Sequence, residues 1–248
     1  MIVCSTDLSN LIKRSLECIL DGSEQAVISL YPDHICIQSV DSLAVCMCTF
    51  TFYTQRFTTF DIDEEVQVRF KVRSVYETIK KFDCLVLETD GDSIWFTDNH
   101  ERRYLLVESQ DSTTYYSVSA SLFDMCACFK LHPVEFSNII LELAVGGGHI
   151  EVSMDNYTTY WKTMFETGDI LFETTQKRRD NSHYRVIKPA VPKISNIYLT
   201  KFLKQACNIA NICNSLIVYV RPDGPMFLKF EMGSRLSEVV ITLVPMSP

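Results

Sequence analysis

One pattern in this chain recurs at about half its length. Leu8, Leu11 and Ile12 reappear as Phe136, Ile139 and Ile140, an offset of 128. Val72, Val75, Tyr76 and Ile79 reappear as Leu199, Phe202, Leu203 and Ala206, an offset of 127, and the Asp90-Gly91 and Asp223-Gly224 turns correspond loosely. A doubled helix–strands–helix–strands plan confines the chain to two domains of similar design, each of ordinary size. Helical and alternating periods both occur, which predicts an α+β fold. It has two topologically similar domains, each an antiparallel sheet with helices on one side.

The elements follow from spacing. Thr6 or Asp7 is expected to cap a first helix over Leu8–Leu20, ended by Gly22. Strands follow at Ala26–Tyr31, Ile35–Gln38, Ala44–Tyr53 and Glu65–Phe70, then a helix over Val72–Phe82. Strands at Cys84–Thr89, Ser93–Thr97 and Arg102–Glu108 close a first domain, residues 1–108. Residues 109–124 are rich in Ser and Thr without helical period and read as an exposed linker. The second domain, 125–248, begins with a strand over Met125–Leu131. A helix entered through Pro133 follows and stops at Gly146-Gly147-Gly148. Strands at Ile150–Met154, Thr158–Met164, Ile170–Thr175 and Tyr184–Ile187 come next. A helix over Ile197–Asn211 leads to strands at Leu216–Val220, Met226–Glu231 and Glu238–Val244.

The bulk properties narrow the function. Hydrophobic content of 47% against 22% charged residues is that of a globular protein. Apolar runs fall short of the roughly 18 residues of a membrane span. No basic region precedes the brief apolar run at Met1, so a secretory signal is not expected and an intracellular setting is. The ten cysteines include the pairs Cys46/Cys48 and Cys126/Cys128, each inside an alternating apolar segment that puts both members on one face. No second pair or histidine set completes a zinc knuckle, so they read as small buried hydrophobes.

The most specific stretch is Ile35–Thr49, two short strands joined by Val40-Asp41-Ser42. Its Gln38-Ser39-Val40-Asp41-Ser42-Leu43-Ala44-Val45 closely resembles the QSMDSSHV signature of the PCNA-type DNA sliding clamps. The doubled plan, the central linker and the terminal Leu243-Val244-Pro245 resemble that family too, as does Phe129-Lys130-Leu131 leading into Glu135-Phe136. The resemblance covers nearly the whole chain at low identity, as in a divergent clamp of a large DNA virus or a checkpoint-clamp subunit. It implies a ring of three subunits, a homotrimer, with helices lining the inner face and sheets outside. The edge strands Arg102–Glu108 and Asp169–Thr175 would join neighbouring copies. It further implies duplex DNA, a polymerase and other clamp-binding proteins, and a clamp loader as partners. No cofactor is implied, and the setting is the nucleus or a viral replication site.

The DNA-facing candidates lie on polar helix faces: Lys13, Arg14, Arg73, Lys80, Lys81, Lys201 and Lys204, against Glu17, Glu77, Glu135 and Glu142, in a chain of net charge -8. Such a face is either ordinary solvated surface or a lining that meets phosphates without reading bases. The third helix departs from the family, with Asn138 and Leu141 where relatives carry arginine. The basic loop Lys177-Arg178-Arg179 departs as well, and reads as a solvated loop, a DNA or partner contact, or a localisation signal. By position, the family's partner groove would be walled by Val40, Ala44, Val118, Ala120, Pro225, Val244 and Pro245. Thr242 replaces an aromatic residue and Ala44 a histidine, which implies a shallower groove.

No enzyme is expected. Gly146-Gly147-Gly148 follows a helix rather than a strand. Asp61, Asp63, Glu64 and Glu65 read as an exposed loop, and Asp90-Gly91-Asp92 is too short for a calcium loop. The five histidines form no HExxH pair. No catalytic residue and no metal ligand is nominated. The alternative to a closed ring is a clamp-fold scaffold, or a monomeric or dimeric processivity factor that holds DNA by charge.

Overall fold

The computed structural model describes residues 1–90, 93–98, 103–107, 123–124, 126–165, 168–175, 184–233 and 237–246. They form a mixed fold of mostly antiparallel sheet with four α-helices of eight residues or more. The chain divides into two compact units, one of residues 1–116 with 233–239, the other of 117–232 with 240–248. Apart from Phe123 and Asp124, the expected linker lies outside the described residues, as does the Lys177–Arg179 loop.

The first unit runs β1 (Ile2–Cys4), α1 (Thr6–Ile19), β2 (Gln25–Leu30), β3 (His34–Val40), β4 (Cys46–Tyr53), β5 (Phe57–Phe60) and β6 (Val66–Lys71). It continues through α2 (Val72–Ile79), β7 (Val86–Thr89), β8 (Ser93–Thr97) and β9 (Arg103–Val107). One sheet has the order β5-β1-β7-β8-β9, and another the order β4-β3-β2-β6. In β4 strict alternation buries Cys46, Cys48, Phe50 and Phe52. They meet Leu8, Leu16 and Ile19 in a core that also holds Ile35, Ile37 and Val68.

The second unit runs β10 (Ala127–Leu131), α3 (Pro133–Leu143), β11 (His149–Asn156), β12 (Thr158–Phe165), β13 (Gly168–Thr175) and β14 (Tyr184–Lys188). It then passes through β15 (Ala190–Leu199), α4 (Thr200–Ala210), β16 (Ser215–Val220), β17 (Met226–Glu231) and β18 (Ser237–Leu243). Its sheets have the orders β14-β10-β16-β17-β18 and β13-β12-β11-β15. Both orders repeat those of the first unit, element for element. Residues 237–239 of β18 belong to the first unit, where they flank β4. The core of the second unit centres on Trp161, which meets Phe129 at 6.3 Å and Phe136 at 6.0 Å, both edge-on.

Several boundaries differ from expectation for local reasons. Ser5, not Thr6 or Asp7, caps α1, its hydroxyl accepting from the Leu8 N–H at 3.3 Å. Ile197–Leu199, expected to open the last helix, instead end β15, a ten-residue strand that the sequence reading lacked. Ala190, Ile194, Asn196 and Tyr198 point inward there with a period of two, and the pairing with β11 runs from His149↔Leu199 to Asn156↔Ala190. The second helix ends at Ile79 rather than Phe82. Strands β1 and β5 were also not foreseen.

Eight of the ten thiols are buried, while Cys84 and Cys213 are half-buried. Burial pushes the Cys18 thiol up to about 12 and that of Cys207 up to about 11, so little thiolate exists near neutral pH. Iodoacetamide at pH 8 is expected to modify Cys84 and Cys213 first, and the buried eight only after denaturation. Counting adducts by intact mass checks this.

Candidate nucleic-acid interface and partner groove

The helices decide which cations are available. On α1 the apolar residues Leu8, Ile12, Leu16 and Ile19 take the inner face, which leaves Asn10, Arg14 and Glu17 exposed. Lys13 is half-buried, and its ammonium donates to the backbone carbonyl of Phe82, just beyond α2. The Tyr76 phenol donates to the Glu17 carboxylate, and burial together with that negative charge raises its pKa. These two contacts tie α1 to α2. Lys80 pairs with Glu77 and sits 5.6 Å from the centroid of the Tyr76 ring. The ammonium beside it holds the Glu77 carboxyl below the usual range. Arg73 and Lys81 are exposed.

In the second unit α4 buries Phe202, Leu203, Ala206 and Ile209 and exposes Lys201 and Lys204. The Lys201 ammonium lies 4.3 Å from the Phe202 ring centroid, so its stem lies against apolar surface while its charge stays exposed. Its neighbour α3 differs. His132 caps it through Nδ1, which accepts from the Val134 N–H at 3.3 Å. Its outer face presents Val134, Asn138, Leu141 and Glu142, with Val134 56% and Leu141 51% exposed. A cavity of about 460 Å³ lies between α3 and β13, with Val134, Ile139 and Phe172 as its apolar wall and Glu135, Glu142 and Glu173 as its acidic one.

The signature turn is built around one carboxylate. Asp41 is buried, and its two oxygens accept from the N–H groups of Leu43 at 2.9 Å, Val45 at 2.7 Å and Cys46 at 2.6 Å. Its own N–H donates to the Cys46 carbonyl, and the Ala44 N–H returns to the Asp41 carbonyl, both at 2.9 Å. Five hydrogen bonds thus fix six residues, and they hold Ala44 at φ 54°, a left-handed conformation that side chains disfavour. Val40 is half-buried and Ala44 exposed.

No protein-family model matches the chain, and no curated protein matches it.

Of the groove candidates, Val40 and Ala44 belong to the first unit, and Pro225, Val244 and Pro245 to the second. Pro225 and Pro245 are half-buried, Val244 is 44% exposed, and the Met246 N–H donates to the Ile197 carbonyl at 2.8 Å. Val118 and Ala120 lie outside the described residues. Phe123, at the end of the expected linker, packs on Tyr219 at 4.7 Å and Phe227 at 5.1 Å. Among the described residues no group of three or more His, Cys, Asp or Glu side chains could hold a metal ion. Asp61, Asp63, Glu64 and Glu65 are exposed.

Replacing Asp41 by Ala leaves three amide groups without their acceptor and is expected to cost about 2–3 kcal/mol. Ala44→Gly relieves the left-handed strain and is expected to stabilise by about 0.5–1 kcal/mol. Urea unfolding midpoints of the two variants test the pair, and a neutral Asp41→Ala would refute the assignment.

Proposed function

We propose that the chain is a sliding clamp. It acts as a DNA polymerase processivity factor that encircles duplex DNA as a ring of three copies and tethers replication or repair proteins through a hydrophobic groove. The observation that carries this reading is the exact recurrence of sheet order in the two units, which leaves one open edge in each. Strand β9 occupies in the first unit the place that β18 occupies in the second, and β13 the place of β4. β18 flanks β4, whereas among the described residues nothing pairs with the outer edges of β9 and β13. Pairing β9 of one copy with β13 of the next repeats an arrangement the chain already uses, and repetition around a rotation axis closes a ring. Charge supports that register. Arg103 lies on β9 and Arg73, Lys80 and Lys81 on or beside α2, while Glu135, Glu142, Asp169 and Glu173 lie on α3 and β13.

Catalysis is not part of this function; retention is topological. The helices supply cations that meet phosphates without reading bases. Arg14, Arg73 and Lys204 are the principal contacts, with Lys81, Lys80 and Lys201 beside them. Lys13 contributes less because its ammonium already serves the Phe82 carbonyl. Polymerase, other clamp-binding proteins and a clamp loader are the protein partners, at the nucleus or a viral replication site. The cation-free face of α3 favours a second reading, a monomeric or dimeric processivity factor holding DNA by charge alone.

Native mass measurement is expected to give three copies, with Glu135→Lys and Glu173→Lys together shifting the population toward monomer. The triple variant Arg14→Ala, Arg73→Ala, Lys204→Ala is expected to reduce the slope of log affinity on log salt by about 3, one contact per side chain. Clamps loaded on closed circular DNA should be released on linearisation. A monomer whose retention is indifferent to DNA ends would favour the second reading.

A further inference from the structure

A row of side chains crosses the first unit at one end of the sheet β4-β3-β2-β6. The register Leu30↔Val66, Leu30↔Ile35 and His34↔Tyr53 sets Glu65, Tyr31, His34 and Tyr53 side by side on successive strands. Glu238, on the part of β18 that flanks β4, continues the row. The Tyr31 and His34 rings stack 4.5 Å apart at 18°, and the Tyr53 ring follows at 6.2 Å and 50°. All three rings are half-buried, on a face where side chains alternate with the core residues Leu30, Ile35, Phe52 and Val66.

Carboxylates border the rings and are held in place. The Glu65 carboxylate accepts from Gln67 at 2.6 Å and from the Tyr31 phenol. Glu238 accepts from the Tyr53 phenol. Asp33, with its side chain 80% exposed, contacts His34 Nδ1 at 2.6 Å. The run Asp61, Asp63, Glu64, Glu65, which the clamp reading leaves unused, adds negative charge just ahead of β6. Polyanions are repelled from such a surface. A carboxylate offers about four acceptor directions, so one or two bonds from phenol or amide leave others for a ligand.

The geometry points to a docking site for arginine side chains presented by an extended basic segment of a partner protein, independent of the clamp reading. A guanidinium matches both halves of the site. Its plane stacks on an aromatic ring, and its fixed fork of donors meets a carboxylate alongside. A lysine ammonium supplies the charge without the plane or the fork. Tyr31 with Glu65 forms one ring–carboxylate pair and Tyr53 with Glu238 the other. They lie about 19 Å apart end to end, four strand spacings of about 4.8 Å, which suits arginines about six residues apart on an extended segment.

The probe is N-acetyl-L-arginine amide, titrated into the intact protein and followed by NMR of the tyrosine and histidine ring protons. Saturable shifts confined to Tyr31, His34 and Tyr53 are expected, with N-acetyl-L-lysine amide binding at least fivefold more weakly. Glu65→Gln and Glu238→Gln, each retaining the size and a hydrogen-bond acceptor, should together weaken arginine binding about tenfold with unchanged near-UV circular dichroism. A peptide with two arginines six residues apart should bind at least tenfold more tightly than one with adjacent arginines. Equal binding of the two amides, shifts spread over other acidic surface, or insensitivity to the glutamine variants would overturn the proposal.

Discussion

A β-sheet must end somewhere, and the outermost strand of each end carries backbone groups that need water, a cover or another strand. In this chain that constraint governs more than local stability. Each unit is assembled from the same sheets in the same order, so the same position recurs at each end of the design. Where β18 lies, the neighbouring place is filled by β4; the corresponding strands β9 and β13 have no such neighbour among the described residues. Assembly is then a consequence of duplication, because a strand order made twice in one chain provides one complementary pair of open edges.

The helices show how packing sorts charge into kinds. Lys13 and Lys80 are drawn into the α1–α2 contact, one by a backbone carbonyl and one by Glu77 and the face of Tyr76. Arg14 and Arg73 stand outside those contacts and keep their charge for something else. An exposed pair such as Lys80–Glu77 adds little stability, so its effect is chiefly to neutralise a patch of the surface. Helix α3 carries no cation on any face, and its exposed Val134 and Leu141 beside two glutamates make its surface closer to that of a protein contact than of a phosphate contact.

Much of this was legible in the sequence. Helical periods located all four helices, and the offset of 127–128 announced the duplication, because amphipathic spacing survives when identity does not. The strand over Ala190–Leu199 was hidden, since Ile197-Tyr198-Leu199 suits the end of a strand as well as the start of a helix and Pro192 interrupts the run. Strands as short as β1 and β5 exist through their partners and carry no period of their own. The capture of Lys13 by Phe82, 69 positions away, has no local signal, so a tally of helix cations could not separate it from Arg14. The Tyr31–His34–Tyr53 row was equally invisible, because only the register of β3 against β4 brings Tyr53 beside His34.

The signature turn joins these threads. A carboxylate that accepts three backbone N–H groups is an expensive way to close a hairpin when Asn-Gly or Gly-Gly would do so without strain. Ala44 sits in the left-handed region at a cost of roughly 1–2 kcal/mol, tolerated only because Asp41 determines the loop so completely. Such over-determination yields a fixed shape rather than extra stability. Rigid backbone is what a binding surface needs when its own side chains are as small as Val40 and Ala44, since a preorganised loop loses little entropy when a partner settles on it. The turn thus gives up folding free energy for geometry, the trade expected of a surface that is used.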